Sequence, residues 1–271
     1  MKIKPSKAGG AIEMLGAIAG DIIGSPFEGN NMKSRGFPLF TSKSTFTDDT
    51  VLTVATADCI LHKGNFAEFY RRYYLKYPGR GYGLRFSMWA GSPDSKPYDS
   101  WGNGSAMRVS PVGFACSSID EVLKLAEKSA EVSHNHPEGI KGAQAVAIAV
   151  YLARRGERKK KIASYIERKF GYDTGESIES IRKWYKFDSS CQGSVPQAIT
   201  AFLESRDFED AVRKAISIGG DSDTIACIAG GIAEAFYGGL PVKIREGVLK
   251  ILNKDLIKII NDFYKKFGLI R

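Results

Sequence analysis

The chain has 271 residues, 43% of them hydrophobic and 25% charged, with 29 glycines and 10 prolines, the length and apolar content of one large globular domain or two small ones. Intrinsic disorder, a collagen-like repeat and a disulfide-stapled miniprotein are excluded on composition. The 39 basic and 30 acidic residues leave a net charge of +9, which raises the question of a nucleic acid or another anionic partner.

At the N-terminus, Lys2, Lys4 and Lys7 precede an apolar stretch from Ala11 to Ile23, in the manner of a signal peptide. Glu13 and Asp21 interrupt it, and no 18-residue apolar run occurs elsewhere. Neither export nor a membrane span is expected. Cys59, Cys116, Cys191 and Cys227 lie far apart with no CxxC pair, so we expect reduced, mostly buried thiols in a cytoplasmic protein.

Helical periodicity dominates the remainder of the chain. Apolar stripes predict helices over 51–62 and 66–77, then over 120–134 on Val122, Leu125, Ala126 and Ala130, and over 139–155 on Ala143, Ala147, Val150 and Tyr151. Further helices are expected over 177–187, from a first turn holding Pro196 towards Glu204, and over 207–217, 225–236, 241–252 and 255–267. Alternating strand patterns are almost absent. The expected fold is all-α, with ten to twelve helices in a single domain, 1–271. Between Arg154 and Lys161 six basic residues face only Glu157, which reads as a solvated linker between helices, or else as a polyanion-facing patch. Irregular stretches run from Gly24 to Thr47, Gly79 to Pro111 and Phe187 to Pro196, and long loops in a helical domain usually serve function.

Two acidic segments share an unusual chemistry: Thr47-Asp48-Asp49-Thr50 and Gly219-Gly220-Asp221-Ser222-Asp223-Thr224, each leading into an apolar helix. Helix capping accounts for one Asp per helix start. It does not require paired carboxylates and a hydroxyl at both, whose repulsion needs cations to offset it. Four carboxylates and two Thr hydroxyls make an all-oxygen ligand set suited to Mg²⁺ or Mn²⁺ rather than zinc. A loop of small residues, Ser100 to Arg108, offers backbone amides to an anion.

Taken in order, Ala19-Gly20-Asp21, Gly24-Ser25-Pro26-Phe27-Glu28-Gly29, Phe46-Thr47-Asp48-Asp49-Thr50, Ser100-Trp101-Gly102-Asn103-Gly104-Ser105-Ala106-Met107-Arg108, Ser133-His134-Asn135-His136-Pro137-Glu138-Gly139 and Gly219-Gly220-Asp221-Ser222-Asp223-Thr224-Ile225-Ala226 resemble the ADP-ribosylglycohydrolase family. The resemblance covers about residues 12 to 240. It implies an all-α hydrolase with two divalent cations, Mg²⁺ or Mn²⁺, held by Thr47, Asp48, Asp49, Asp221, Asp223 and Thr224 in a cleft for ADP-ribose. Glu28 matches an acidic residue on a mobile loop beside the metals, as base or as gate, so Glu28, Asp49 and Asp221 are the catalytic candidates. Ser100, Trp101, Gly102, Asn103, Gly104 and Ser105 match the loop that contacts the diphosphate and distal ribose. His134 is assigned to ADP-ribose and His136 to structure. Arg108 is read as a loop anchor through an internal salt bridge, or as a ligand contact.

The implied reaction breaks the bond at the anomeric carbon of the distal ribose, releasing ADP-ribose from a modified protein. Three alternatives share these residues: an ADP-ribose-binding module without catalysis, a two-metal phosphoesterase, and a hydrolase acting on ADP-ribosylated nucleic acid.

Overall fold

A computed structural model describes residues 14–267; Lys2, Lys4, Lys7 and Ala11 of the signal-like pattern, and Glu13 that interrupts it, lie outside the described residues. The chain runs through α1 (Gly16–Gly24), a 3₁₀ turn (Ser25–Phe27), α2 (Asp48–His62), α3 (Phe66–Lys76), α4 (Leu84–Ala90), α5 (Gly104–Met107), α6 (Ser110–Ala115) and α7 (Ile119–Glu131). It continues through α8 (Pro137–Arg154), α9 (Lys159–Phe170), α10 (Ile178–Trp184), α11 (Cys191–Glu204), α12 (Phe208–Ser217), α13 (Ser222–Tyr237), α14 (Val242–Ile251) and α15 (Lys254–Phe267). Among the described residues the fold is all-α, and its one extended pairing is an isolated bridge between Gly102 and Ser190.

Helix starts follow local chemistry. Thr47, Asn65, Ser118, Ser177, Ser190 and Asp207 each accept a backbone N–H of the helix they open, satisfying a donor that would otherwise be orphaned. The His136 ring does the same for Glu138 N at 3.1 Å, which makes it the N-cap of α8 and bears out its structural reading.

The centre of the molecule is α13, buried on every side from Ser222 to Ala235, with α1, α8, α11 and α12 packed around it. The tightest approach is to α1. A Cβ on Gly16 would fall 2.4 Å from the Gly230 carbonyl oxygen, one on Gly20 2.0 Å from that of Ala226, and one on Gly24 2.6 Å from Asp223 Cα. Glycine every fourth position thus clears one face of α1 for backbone contact, and Asp21 on that helix is brought to the first turn of α13. All four cysteines are free and buried, as expected. No helix among the described residues is long and apolar enough to cross a membrane.

Several expectations are corrected. Among the described residues fifteen α-helices stand where ten to twelve were expected: α4 and α5 lie inside the stretch read as irregular between Gly79 and Pro111, α6 begins at its end, and α1 and α9 come from segments for which no helix was expected. Pro196 lies inside α11, well past the first turn, since the helix begins at Cys191. The Arg154–Lys161 segment is only partly a solvated linker. Lys159 opens α9 and donates to the Phe202 and Ser205 carbonyls at 2.9 and 2.6 Å, while Arg154 donates to the Cys116 carbonyl at 2.5 Å. Arg155, Arg158, Lys160 and Lys161 remain exposed.

Candidate functional site

The N-termini of α2 and α13 open onto a cleft of about 440 Å³ whose wall includes Glu28, Asp48, Asp49, Asp221, Asp223 and Thr224. The two acidic segments, distant in sequence, therefore share one site. Gly219 and Gly220, at φ of +81° and +70°, turn the chain sharply into Asp221, a conformation most side chains resist. Oxygens of Asp21, Asp49 and Asp223 lie within 4.8 Å of one another, and so do oxygens of Glu28, Asp221 and Asp223. Asp223 belongs to both groups. Asp48 shares the wall but neither close group.

Hydroxyls link these carboxylates. Thr224 Oγ1 donates to Asp49 Oδ2 at 3.2 Å, and Thr47 Oγ1 lies 3.4 Å from the same oxygen. Asp49 Oδ1, fully buried, has no hydrogen-bond partner. Burial, followed by the neighbouring carboxylates, pushes Asp48, Asp49 and Asp223 well above the usual carboxylate range. Glu28 is raised by burial, then by Asp221 and Asp21. An orphaned buried oxygen, converging carboxylates and an all-oxygen donor set are what hard divalent cations require.

Asp21, which belongs to the motifs carrying the family resemblance but has no site role assigned from sequence, proves central to this arrangement. Its carboxylate accepts from Thr47 N at 2.9 Å, Thr47 Oγ1 at 2.8 Å, Thr50 N at 3.1 Å and Thr50 Oγ1 at 2.5 Å. It orients the first turn of α2 from behind. The signal available in the sequence is a lone carboxylate within the apolar run Ala17 to Ile23.

The small-residue loop meets the acidic groups at Asn103, whose side-chain amide donates to Asp221 Oδ2 at 2.8 Å and Ser194 Oγ at 3.0 Å. Ser100, Gly102, Asn103, Gly104 and His134 line the cleft. Four of the loop's amides are already engaged, Gly102 N with Ser100 Oγ, Asn103 N with the Ser189 carbonyl, and Ala106 N and Met107 N with the Asn103 carbonyl, so the whole run does not present free donors. Three expected members stand outside the wall. Ser105 is fully buried and donates to the Gly139 carbonyl at 2.7 Å, Trp101 is 49% exposed with its ring against His136, and Thr47 sits behind Asp49.

His134 is buried with Nδ1 2.8 Å from Ser133 Oγ, and burial, then Arg108 and Arg85, hold its pKa well below the ordinary histidine value, so the ring is neutral. Arg108 does anchor the loop, but not by an ion pair. Its guanidinium donates to the Ser129 carbonyl and Ser133 Oγ, stacks 4.1 Å from the Tyr70 ring centroid, and has no carboxylate partner among the described residues. Arg85, Tyr98 and Phe187 also line the wall, and nothing in the sequence around them marks them for the site.

Residues 6–270 match the family profile of ADP-ribosylglycohydrolase. The chain belongs to the ADP-ribosylglycohydrolase family. It is therefore a glycohydrolase enzyme. It is similar to ADP-ribosylhydrolase ARH3 of Homo sapiens, 28% identical over 305 residues, with 83% of this chain and 84% of that protein covered. It also resembles ADP-ribosylarginine hydrolase Tri1 of Pseudomonas putida, at 26% identity over 84% of this chain and 71% of the relative. Among solved structures, an ADP-ribosylglycohydrolase-related protein complex matches with a TM-score of 0.71 and 25% identity, covering 93% of this chain and 95% of that one. The fold of this ADP-ribosylglycohydrolase is thus that of its structural neighbour.

Proposed function

We propose that this enzyme releases ADP-ribose from modified protein side chains by hydrolysing the bond at the anomeric carbon of the distal ribose. The observation that carries the reading is the convergence of Asp49, Asp221, Asp223 and Glu28 in one cleft, with Asn103 tying Asp221 to the small-residue loop. Two divalent cations, Mg²⁺ or Mn²⁺, would be held by Thr47, Asp48, Asp49, Asp221, Asp223 and Thr224. Bound there, they supply charge compensation, a grip on ribose hydroxyls and polarisation of water.

The chain's own residues do the rest. Asp21 holds Thr47 and Thr50 so that the Asp48 and Asp49 side chains enter the cleft at fixed angles. Glu28, partly desolvated and raised in pKa, takes the proton of the attacking water as its oxygen joins the anomeric carbon. The bond to the acceptor breaks, and the proton that Glu28 took from the water passes on to the leaving acceptor, which returns Glu28 to its carboxylate form. His134, neutral and close to Gly104, donates to or accepts from the ADP-ribose without adding charge. Ser100, Gly102 and Gly104 leave space for the diphosphate.

The basic segment 154–161 gives a nucleic-acid acceptor no support, since none of its residues lines the cleft. Lys159 contacts Tyr237, the last residue of α13, and Asp223 is in the first turn, about 21 Å away at the helical rise. That exceeds the Debye length of about 8 Å at physiological salt. We further propose that the whole chain, 1–271, forms one catalytic unit, with α15 packed on α2, and that four unpaired buried thiols place it in a reducing cytoplasm.

The test is a panel of arginine-, serine- and nucleic-acid-linked ADP-ribose, incubated with enzyme and Mg²⁺ or Mn²⁺, with free ADP-ribose quantified. Release from a protein linkage supports the reading. Release of AMP would assign a phosphoesterase, and binding without turnover a recognition module.

A further inference from the structure

A second cavity, of about 420 Å³, shares no residue with the catalytic cleft and is walled by the first turns of α8, by α10, by α11 and by the segment after α9. Its polar groups are unbalanced. Tyr172 is only 5% exposed and its hydroxyl has no hydrogen-bond partner, and the side-chain carbonyl of Gln197 is likewise buried and unpartnered. Native proteins leave few such atoms, and each marks a bond that some other group is placed to make. Pro196, in the same wall, has no N–H to give the Gln192 carbonyl four residues before it.

Charge points the same way. Glu138, Asp173 and Glu176 line the cavity against a single ammonium, Lys141, which is already paired with Glu138 at 2.8 Å. Carboxylates in the wall therefore outnumber cations by two, which suits a cation and disfavours an anion. An apolar occupant would leave Tyr172 and Gln197 unsatisfied. At the mouth, Trp184 is 52% exposed, and its indole Nε1 donates to Glu176 Oε1 at 2.7 Å, which fixes the ring as a platform beside a carboxylate. A flat, weakly hydrated cation stacks on such a ring better than a compact ammonium does.

We propose that this cavity is an ancillary binding site for an alkylguanidinium, either a free small molecule or the arginine side chain of a peptide. The planar N–H fork would reach the Gln197 carbonyl, the Tyr172 hydroxyl oxygen and the Glu176 carboxylate, with Trp184 covering its face. The site does not depend on the reaction assigned to the cleft.

Calorimetric titration tests it, using the full chain loaded with Mg²⁺ and saturated with ADP-ribose so that the acidic cleft is filled. The probes are n-butylguanidinium, n-butylammonium and a capped Gly-Arg-Gly tripeptide. The guanidinium should bind at least about tenfold more tightly than the ammonium, and Tyr172→Phe and Gln197→Leu should each weaken it by about fivefold or more. Tyr172→Phe removes a hydroxyl with no partner, so it should remain folded, which thermal unfolding checks. Binding of the tripeptide as well as butylguanidinium assigns a peptide arginine; binding of butylguanidinium alone assigns a free guanidine. No binding by either, equal binding of the ammonium, or affinity unchanged in both variants overturns the proposal.

Discussion

Asn103 reaches across 2.8 Å to Asp221, 118 residues later, and so couples the loop proposed to hold the diphosphate to the carboxylates proposed to hold metal. The same amide donates to Ser194, which fixes its orientation. Asn103→Ala should lower turnover by about tenfold or more, because a carboxylate that loses a fixed donor reorients. The helices should keep their circular dichroism. Wild-type turnover in the variant would remove this contact from the machinery.

The converging carboxylates predict a pH signature for the metal-free protein. Asp48, Asp49 and Asp223 have folded pKa values above their unfolded ones, so the folded state binds more protons than the unfolded chain. Stability from these groups is full below the unfolded carboxylate pKa and is lost as pH rises through the folded values. The melting temperature after chelation should therefore fall as pH rises from acid towards neutral, and Mg²⁺ or Mn²⁺ should restore it most at the higher pH. Asp223→Asn should lose turnover and this metal response together. A melting temperature indifferent to metal at neutral pH would count against the two-metal reading.

How far the sequence alone reveals the fold and the site differs by residue type. Amphipathic helices such as α7, α12 and α15 announce themselves by period, and the acidic pairs stand out because capping needs only one carboxylate. Short helices do not. α5 has four residues and α6 six, too few for a period to register, and they lie in a glycine-rich stretch. Pro196 misleads because proline usually marks a first turn, whereas here the Ser190 cap lies six residues ahead of it. Trp101 and Ser105 belong to a contiguous block but do not line the cleft, since a block in sequence does not fix which way successive side chains face.

Asp21 is invisible as a functional residue for a related reason: its partners are on another helix. All four of its donors come from Thr47 and Thr50. Asp21→Asn replaces an accepting oxygen with an NH₂ that faces donors. Turnover should fall by about a hundredfold or more, and the metal concentration giving half-activity should rise. If kcat fell with metal dependence unchanged, Asp21 would be acting on something other than the ligands at the start of α2.

Gly104 is constrained by a side chain as well as by any ligand. A Cβ there would lie 2.9 Å from His134 Nε2, so Gly104→Val must displace the buried ring. ADP-ribose affinity should weaken by about tenfold or more, and His134→Ala should remove most of the additional loss in the double variant, since the two changes act on one contact. Fully additive losses would show that the glycine serves the diphosphate independently of His134.

Lys159 separates structure from electrostatics in the basic segment. Burial lowers its pKa to about 8, and it donates to the Phe202 and Ser205 carbonyls that close α11. With the folded pKa below the unfolded one, the folded state binds fewer protons between about 8 and the ordinary lysine value, so this group's contribution to stability rises with pH across that window. Below it, the cost of burying the charge is offset only by its hydrogen bonds. Lys159→Met should therefore compare least favourably with wild type at the alkaline end of the window, as measured by paired thermal melts. Replacing the exposed Lys160 and Lys161 with Gln should leave both melting temperature and turnover on protein-linked ADP-ribose unchanged, because those charges are solvated and neither lines the cleft. A loss confined to nucleic-acid substrates, with a flatter salt dependence, would instead make the exposed lysines a strand-binding surface and move the acceptor from protein to nucleic acid.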